Sequence, residues 1–307
     1  MSSPSMTPAC DSVRRARPLL GTFVEISASG ARSGDLHAAV SRAFDIVADV
    51  HRLMSFHDRD SDVSRLNRKA ATRPVAVHPW TYEVLRWSAE LHDASGGLFD
   101  IAVADTLQRV GLLPDGDSGR PRVARPGPRP APVALLAHNR VRFTRSDVRL
   151  DLGGIAKGFA VDRAAEILQA LGVPRGLVNA GGDIAAFGAE PFTVHIRDPR
   201  DASRILAEVH LSNEGIASSG AAFDRRAGAP RVAIVDPTTG RLASTIAGAT
   251  VRASRCVLAD ALTKLVVVSG RSADALLTRY GASALLVSWH GDVLATRSWG
   301  KELRPAS

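Results

Sequence analysis

The run from Asp151 to Asp162, Asp-Leu-Gly-Gly-Ile-Ala-Lys-Gly-Phe-Ala-Val-Asp, limits the fold more than any other stretch of this chain. Val141 to Leu152 before it alternates as a strand does, and Gly158 to Leu171 after it carries a helical period stopped at Gly172. A strand that ends in a carboxylate and turns through two glycines into a helix aims backbone N–H groups and the helix N-terminus outward. With Lys157 in the first turn, that arrangement suits an anion such as pyrophosphate. A tight turn with glycines for backbone reasons alone accounts for the same residues. The spacing is neither a P-loop nor a dinucleotide fingerprint, because GxxxxGK[ST] is absent.

Around this segment the chain reads as mixed strands and helices. Leu20 to Ser27 alternates as a strand, and Asp35 to Met54 places Leu36, Val40, Phe44, Val47, Val50 and Met54 on one helical face. A helix is predicted from Pro79 to Ala94, with Pro79 in its first turn and Gly96-Gly97 as its stop. Arg175 to Asp183 reads as a strand and a glycine turn, with further strands to about Val251. Leu258 to Val268 reads as a helix ending at Gly270. Ala284 to Trp289 and Val293 to Ser298 form a hairpin around His290-Gly291-Asp292. Strands and helices without strict alternation predict an α+β fold in one compact unit, spanning residues 18–304 after a polar leader at residues 1–17. Residues 114–132 hold six of the 17 prolines and form an exposed loop excursion.

Composition removes several function classes. No apolar run approaches the roughly 18 residues of a membrane span. Met1 to Arg17 lacks a basic stretch followed by an apolar core, so it is not a signal peptide, and a cytoplasmic location is expected. Cys10 and Cys256 lie in no CxxC pair, which excludes a disulfide framework. The formal net charge is +8, but the arginines are scattered among acidic residues and aromatics are 5%, so a nucleic-acid partner is not expected. Only Lys69, Lys157, Lys264 and Lys301 are lysines. A chain that otherwise uses arginine has placed lysine, a compact point charge, inside two motif-like segments.

Those segments are joined by Asn179-Ala-Gly-Gly-Asp183, by Ser218-Ser-Gly220 and by the turn sequence Asp236-Pro-Thr-Thr-Gly240. Asp260 has Thr263 and Lys264 at i+3 and i+4, so all three share a helix face, where a structural ion pair is the simplest reading. No histidines stand in HxxxH or HExxH spacing, and no GxSxG elbow is present, which argues against zinc and serine hydrolase chemistry.

Taken in order, the motifs resemble the ApbE family, the FAD:protein FMN transferases, from about Leu20 to Gly270. Leu20-Gly-Thr22 is similar to its Met-Gly-Thr start. Met54-Ser55 through Asp60-Ser-Asp-Val-Ser-Arg-Leu-Asn67 is similar to its Met-Ser and Asp-Ser-Glu-Leu-Ser-x-Leu-Asn segment, and Gly97-Leu-Phe-Asp100 to Gly-Ala-Phe-Asp. Asp151 to Asp162 is close to the family signature. Val178 to Asp183, Ser219-Gly220, the Asp-Pro-x-Thr-Gly turn and Ala259-Asp-Ala-Leu262 follow. The resemblance implies a fold related to the tunnelling fold and FAD held in a cleft with Mg²⁺. It further implies transfer of FMN from FAD to a threonine hydroxyl of a target flavoprotein, with release of AMP. By that resemblance Leu20, His57, Leu98, Phe99, Asp100, Asp151 and Lys157 line the FAD site, with Asp183 and Ser219 nearby. Gly154, Asp260 and Thr263 are the implied metal-site residues, and Asp260 and Lys264 stand at the catalytic centre.

The departures gather around the chemistry. His57 stands where the family usually has tyrosine, Ala233 where it often has the histidine heading His-x-x-Asp-Pro, and Ala221 where Asp or Asn usually follows Ser-Gly. Lys264 stands where the family has a threonine metal ligand, and an ammonium does not ligate Mg²⁺. Three readings are open. Thr263 supplies the missing oxygen, or the Lys264 ammonium stands in the metal position, or the chain is a FAD- or FMN-binding or FAD-hydrolysing relative.

Overall fold

The computed structural model describes residues 11–30, 33–114, 129–221, 231–299 and 304–305. In chain order the first elements are β1 (Ser12–Leu19), β2 (Thr22–Ser29), α1 (Ser33–Met54), α2 (Asp62–Lys69), β3 (Val75–Ala76), α3 (Pro79–Ala94) and α4 (Ala104–Arg109). Then come β4 (Val133–Leu136), β5 (Arg140–Phe143), α5 (Ala156–Ala170), β6 (Arg175–Ala180), β7 (Asp183–Phe187), β8 (Phe192–Asp198), β9 (Asp201–Leu211) and β10 (Glu214–Gly220). The last are β11 (Val235–Asp236), β12 (Arg241–Leu242), β13 (Gly248–Ala253), α6 (Cys256–Ser269), α7 (Asp274–Arg279), β14 (Ser283–Val287), β15 (Val293–Ala295) and β16 (Arg304–Pro305).

The centre is an antiparallel sheet of eight strands in the order β1-β2-β6-β7-β10-β13-β14-β15. Helices α5 and α6 lie across one face, and α1 packs on α5 and on β1 and β2. The other face carries the small sheet β16-β9-β8. Strands β7 and β14 are buried at every residue because both faces are covered. Ala185 and Phe187 enter the main core with α5 and α6, while Ile184 and Ala186 enter a second core with Val209, Leu211 and Trp299. This is the expected α+β class, with antiparallel pairing throughout the central sheet.

Several local expectations are met for identifiable reasons. Helix α3 has the predicted bounds: Pro79 sits at its start, and the His78 imidazole accepts the Trp80 N–H at 3.2 Å. The Asn179-Ala-Gly-Gly-Asp segment turns β6 into β7, with Gly181 and Gly182 at φ 65° and 100°, a region closed to most side chains. Helix α6 begins earlier than predicted, at Cys256, because the Asp162 carboxylate on α5 accepts the Cys256 and Val257 N–H groups at 2.8 and 2.9 Å.

Other expectations are corrected. Residues 12–17, read as part of a polar leader, belong to β1 and pair with β2. Leu20 and Gly21 are the turn between them and not the start of a strand, both with positive φ. The strand expected over Val141 to Leu152 ends at Phe143. Beyond it the Leu150 N–H and C=O are taken by the Asn67 side chain at 2.7 and 2.9 Å, and the Asp151 N–H by the Ile101 carbonyl at 2.9 Å, so no strand ladder forms. Of the proline-rich excursion, residues 115–128 lie outside the described residues, as does Cys10. Cys256 is a free, buried thiol. Among the described residues no helix is long and apolar enough to cross a membrane.

Candidate functional site

The sequence-predicted residues converge on one cavity of about 510 Å³. Leu20, His57, Leu98, Phe99, Asp100, Asp151, Gly154, Lys157 and Lys264 all line it. Three elements distant in sequence bring them there. Ser61 caps α2 by accepting the Ser64 N–H at 3.0 Å and donates to the Ser55 carbonyl at 2.6 Å, which folds the His57 loop against the helix. Asn67, at the end of that motif, clamps Leu150 and so places Asp151. Buried His92 meets the Phe99 carbonyl at 3.1 Å and the Arg129 carbonyl at 2.9 Å, holding the Gly97 to Asp100 element.

One wall is apolar and was not expected. Val103, Leu107, Leu112 and Leu113, from α4 and its flanks, face the cavity with Ile234 and Val235. The signal was present in the apolar residues between Gly97 and Pro114, but a helix as short as α4 gives too few turns for a period to register. His51, on the last turn of α1, also lines the cavity, as does Ala233.

Asp100 and Asp151 are the carboxyl groups of the cavity wall. Burial pushes both above the usual carboxylate range; the Ala102 N–H works against this at Asp100, and the Gly153 N–H and the His57 charge do so at Asp151.

Asp183, Ser219, Asp260 and Thr263 are not among the residues that line the cavity; Asp183 and Asp260 each hold a lysine of the wall, and Thr263 and Ser219 hold each other. Lys157 is ion-paired with Asp183 Oδ2, and Lys264 with Asp260 Oδ1. Both carboxylates are fully buried. Asp260 Oδ2 accepts the Gly158 N–H at 2.9 Å, so this first-turn amide of α5 points inward to α6 and not toward the cavity as expected. Gly158 itself is required by the approach of the two helices, since a Cβ there would lie 2.4 Å from the Cys256 carbonyl oxygen. Thr263 Oγ1 donates to the Asp260 carbonyl at 2.7 Å and meets Ser219 Oγ at 2.8 Å.

The four charges act as one cluster. Burial opposes the charge of Asp260, yet Lys264 and Lys157 hold its carboxyl below the usual range. Burial and the neighbouring Asp260 raise Asp183. Burial likewise opposes the Lys157 charge, but Asp183 and Asp260 outweigh it and lift the ammonium above the ordinary lysine range.

This donor set does not fit Mg²⁺. The ion asks for about six oxygens in a near-octahedral shell. Both Asp260 oxygens are engaged, and the Thr263 hydroxyl is turned to Ser219 and to its own helix. The Lys264 stem runs past Gly154, whose added Cβ would stand 3.6 Å from Lys264 Cγ. Among the described side chains of the cluster, Asp183 Oδ1 is the buried carboxylate oxygen without a partner. No group of three His, Cys, Asp or Glu among the described residues is arranged to hold a metal.

Comparison with known proteins shows the family and the fold. The model of the ApbE family matches residues 20–287. The chain belongs to the ApbE family. The FAD:protein FMN transferase of Treponema pallidum (strain Nichols) is 29% identical over 302 residues, covering 89% of this chain and 83% of that protein. That of Vibrio cholerae is 27% identical over 285 residues, covering 85% and 82%. The crystal structure of the ApbE protein from Thermotoga maritima superposes with a TM-score of 0.85 at 25% identity, over 96% of this chain and 100% of that one. The flavin transferase ApbE from Vibrio cholerae does so at 0.81 and 24% identity, over 94% and 98%, which shows the shared fold. As an ApbE protein, this chain places the family's motif residues around one cavity.

Proposed function

We propose that this chain is an FAD:protein FMN transferase that moves FMN from FAD to a threonine hydroxyl of a target flavoprotein. The observation that carries the reading is the cavity itself. It has an apolar wall of a kind that can cover a flavin ring, and two lysine side chains at the glycine turn that can face a diphosphate. The acceptor Oγ forms a bond to the FMN phosphorus as the bridging P–O bond breaks and AMP leaves, while the hydroxyl proton passes to a base or to the medium. Phosphoryl-type transfer needs alignment and charge neutralisation more than covalent help from the protein. Lys157 and Lys264 supply positive charge, Leu20, His57, Leu98 and Phe99 hold the flavin nucleotide, and Asp100 and Asp151 offer carboxylates toward the acceptor. Asp183, Asp260, Ser219 and Thr263 act through the lysines and the helix that bears Lys264. The Mg²⁺ expected from the resemblance is left out of this scheme because its donors do not fit. The cytoplasmic location expected from the sequence belongs to the same proposal and is tested by cell fractionation.

The test is to incubate purified chain with FAD and the acceptor protein of the Vibrio cholerae relative. Flavin fluorescence that survives denaturing electrophoresis, with AMP in equal amount, is expected. FAD binding with neither product overturns the transferase reading. A second reading is FAD hydrolysis, in which a water molecule takes the place of the acceptor hydroxyl in a cavity where Ala233 supplies no titratable group. It predicts AMP and FMN in the absence of any acceptor.

A further inference from the structure

We infer that Lys264 is a built-in cation, so that this chain binds the diphosphate of its flavin nucleotide through two ammonium groups without a divalent metal ion. The position between Gly154 and Asp260, where the resemblance implies an ion, is crossed by the Lys264 side chain, whose Cγ and Cε would lie 3.6 and 3.7 Å from a Cβ on Gly154. Its ammonium is held by Asp260 Oδ1. An ammonium has three donors, so the bond to Asp260 leaves two for phosphate oxygens on the cavity side. Lys157 is built the same way, one donor to Asp183 and its side chain on the cavity wall. Each lysine thus has its counter-charge behind it and its free N–H groups in front.

Before any nucleotide binds, charge balance also disfavours an ion in the cluster. Two ammonium groups and two fully buried carboxylates sum to zero. Adding a divalent ion to that cluster would leave two uncompensated positive charges in a buried region, unless a lysine lost its proton or withdrew. A diphosphate brings negative charge of its own, so its hold on the neutral cluster comes from the lysine N–H donors that the two carboxylates leave unused and not from a net positive charge. The Gly158 N–H that fixes Asp260 Oδ2 stops this carboxylate from turning a free oxygen toward the cavity. Asp260 is therefore a positioning residue for Lys264.

The inference rests on the reading above only for the identity of the anion, and the experiment separates the two. Full-length protein stripped with EDTA is titrated with FAD by flavin fluorescence, with EDTA or with millimolar Mg²⁺, and Mg²⁺ alone is titrated by calorimetry. Wild type is expected to bind FAD with less than about a twofold difference between the two conditions, and Mg²⁺ alone is expected to give no binding heat. Lys264→Thr exchanges the ammonium for an oxygen donor and is expected to lose about tenfold in FAD affinity in EDTA, the measure of one charge-assisted contact. Added Mg²⁺ is expected to recover that loss. Lys264→Arg keeps the charge and is expected to remain indifferent to metal. Thermal unfolding of each variant identifies any that fails to fold, in which case the wild-type and arginine titrations decide.

FAD affinity of the wild type rising about tenfold or more on adding Mg²⁺ would overturn the inference. If wild type binds no FAD in either condition, the flavin reading fails and inorganic pyrophosphate becomes the probe. Pyrophosphate bound in EDTA and lost in Lys264→Thr then upholds the built-in cation, and no pyrophosphate binding in EDTA overturns it.

Discussion

At the residue scale the chain's few lysines carry the argument. Removing the charge at 264 takes the ion-pair partner from buried Asp260 and leaves it the Gly158 N–H and the nearby Lys157 charge, a change that costs up to about 3–5 kcal/mol in cases where one partner of a buried pair is deleted. Lys264→Met is therefore expected to lower unfolding stability by that order in urea denaturation. A loss below about 1 kcal/mol would show that the pair is solvated. The pH dependence has a definite sign. The Asp260 carboxyl lies below its unfolded value, so its pairing stabilises the fold above the ordinary carboxylate range and is lost as pH falls through the lower, folded value. Asp260→Asn is expected to remove that acid-side decline, read as unfolding free energy against pH below about 4. Leu20 is a second special residue. Its φ of 55° in the β1–β2 turn places a bulky side chain in the left-handed region, beside the cavity. Leu20→Gly is expected to gain up to about 1 kcal/mol in stability and to weaken FAD binding, a trade visible by measuring Tm and Kd on the same variant.

At the element scale, α5 and α6 are joined by two carboxylates that exchange roles. Asp162 on α5 caps the start of α6, and Asp260 on α6 accepts from the first turn of α5. Asp162→Ala leaves two buried N–H groups without acceptors and is expected to cost about 1–3 kcal/mol, with faster amide exchange at Cys256 and Val257 as the local readout. These helices were legible from their apolar period and glycine stops, and α3 was legible to the residue. The capping carboxylate was not, because Asp162 and Cys256 are 94 positions apart and nothing local marks one as the partner of the other. The same reason hides the end of β5. Val141 to Leu152 is apolar enough for a strand, but Asn67, 83 residues away, takes the Leu150 backbone groups that a strand would need.

At the scale of the whole molecule, the site lies where the helical layer on the central sheet meets the α2–α3–α4 region and the β11–β12 hairpin. The polar side of the cavity comes from residues whose identity is unusual, the apolar side from ordinary leucines and valines. Leu113→Arg places a charge in that apolar wall. It is expected to reduce FAD affinity by about tenfold or more while leaving Tm within a few degrees, since Leu113 is partly exposed. Retained affinity would move the flavin ring away from this wall.

What the sequence determined by itself was the α+β class, the long helices to within about two residues at each end, and the set of glycine, aspartate and lysine segments gathered around one cavity. Those signals are periodic, or are rare residue types in a fixed order, and they survive without coordinates. Which of those residues line the cavity was decided by the tertiary structure alone. Asp183 and Asp260 are buried behind Lys157 and Lys264, and α5 and α6 approach closely enough for Gly158 to bond to Asp260. That packing turns each carboxylate to a lysine. A motif specifies residue types at positions along a chain, whereas the direction of a side chain depends on which neighbouring helix satisfies its charge.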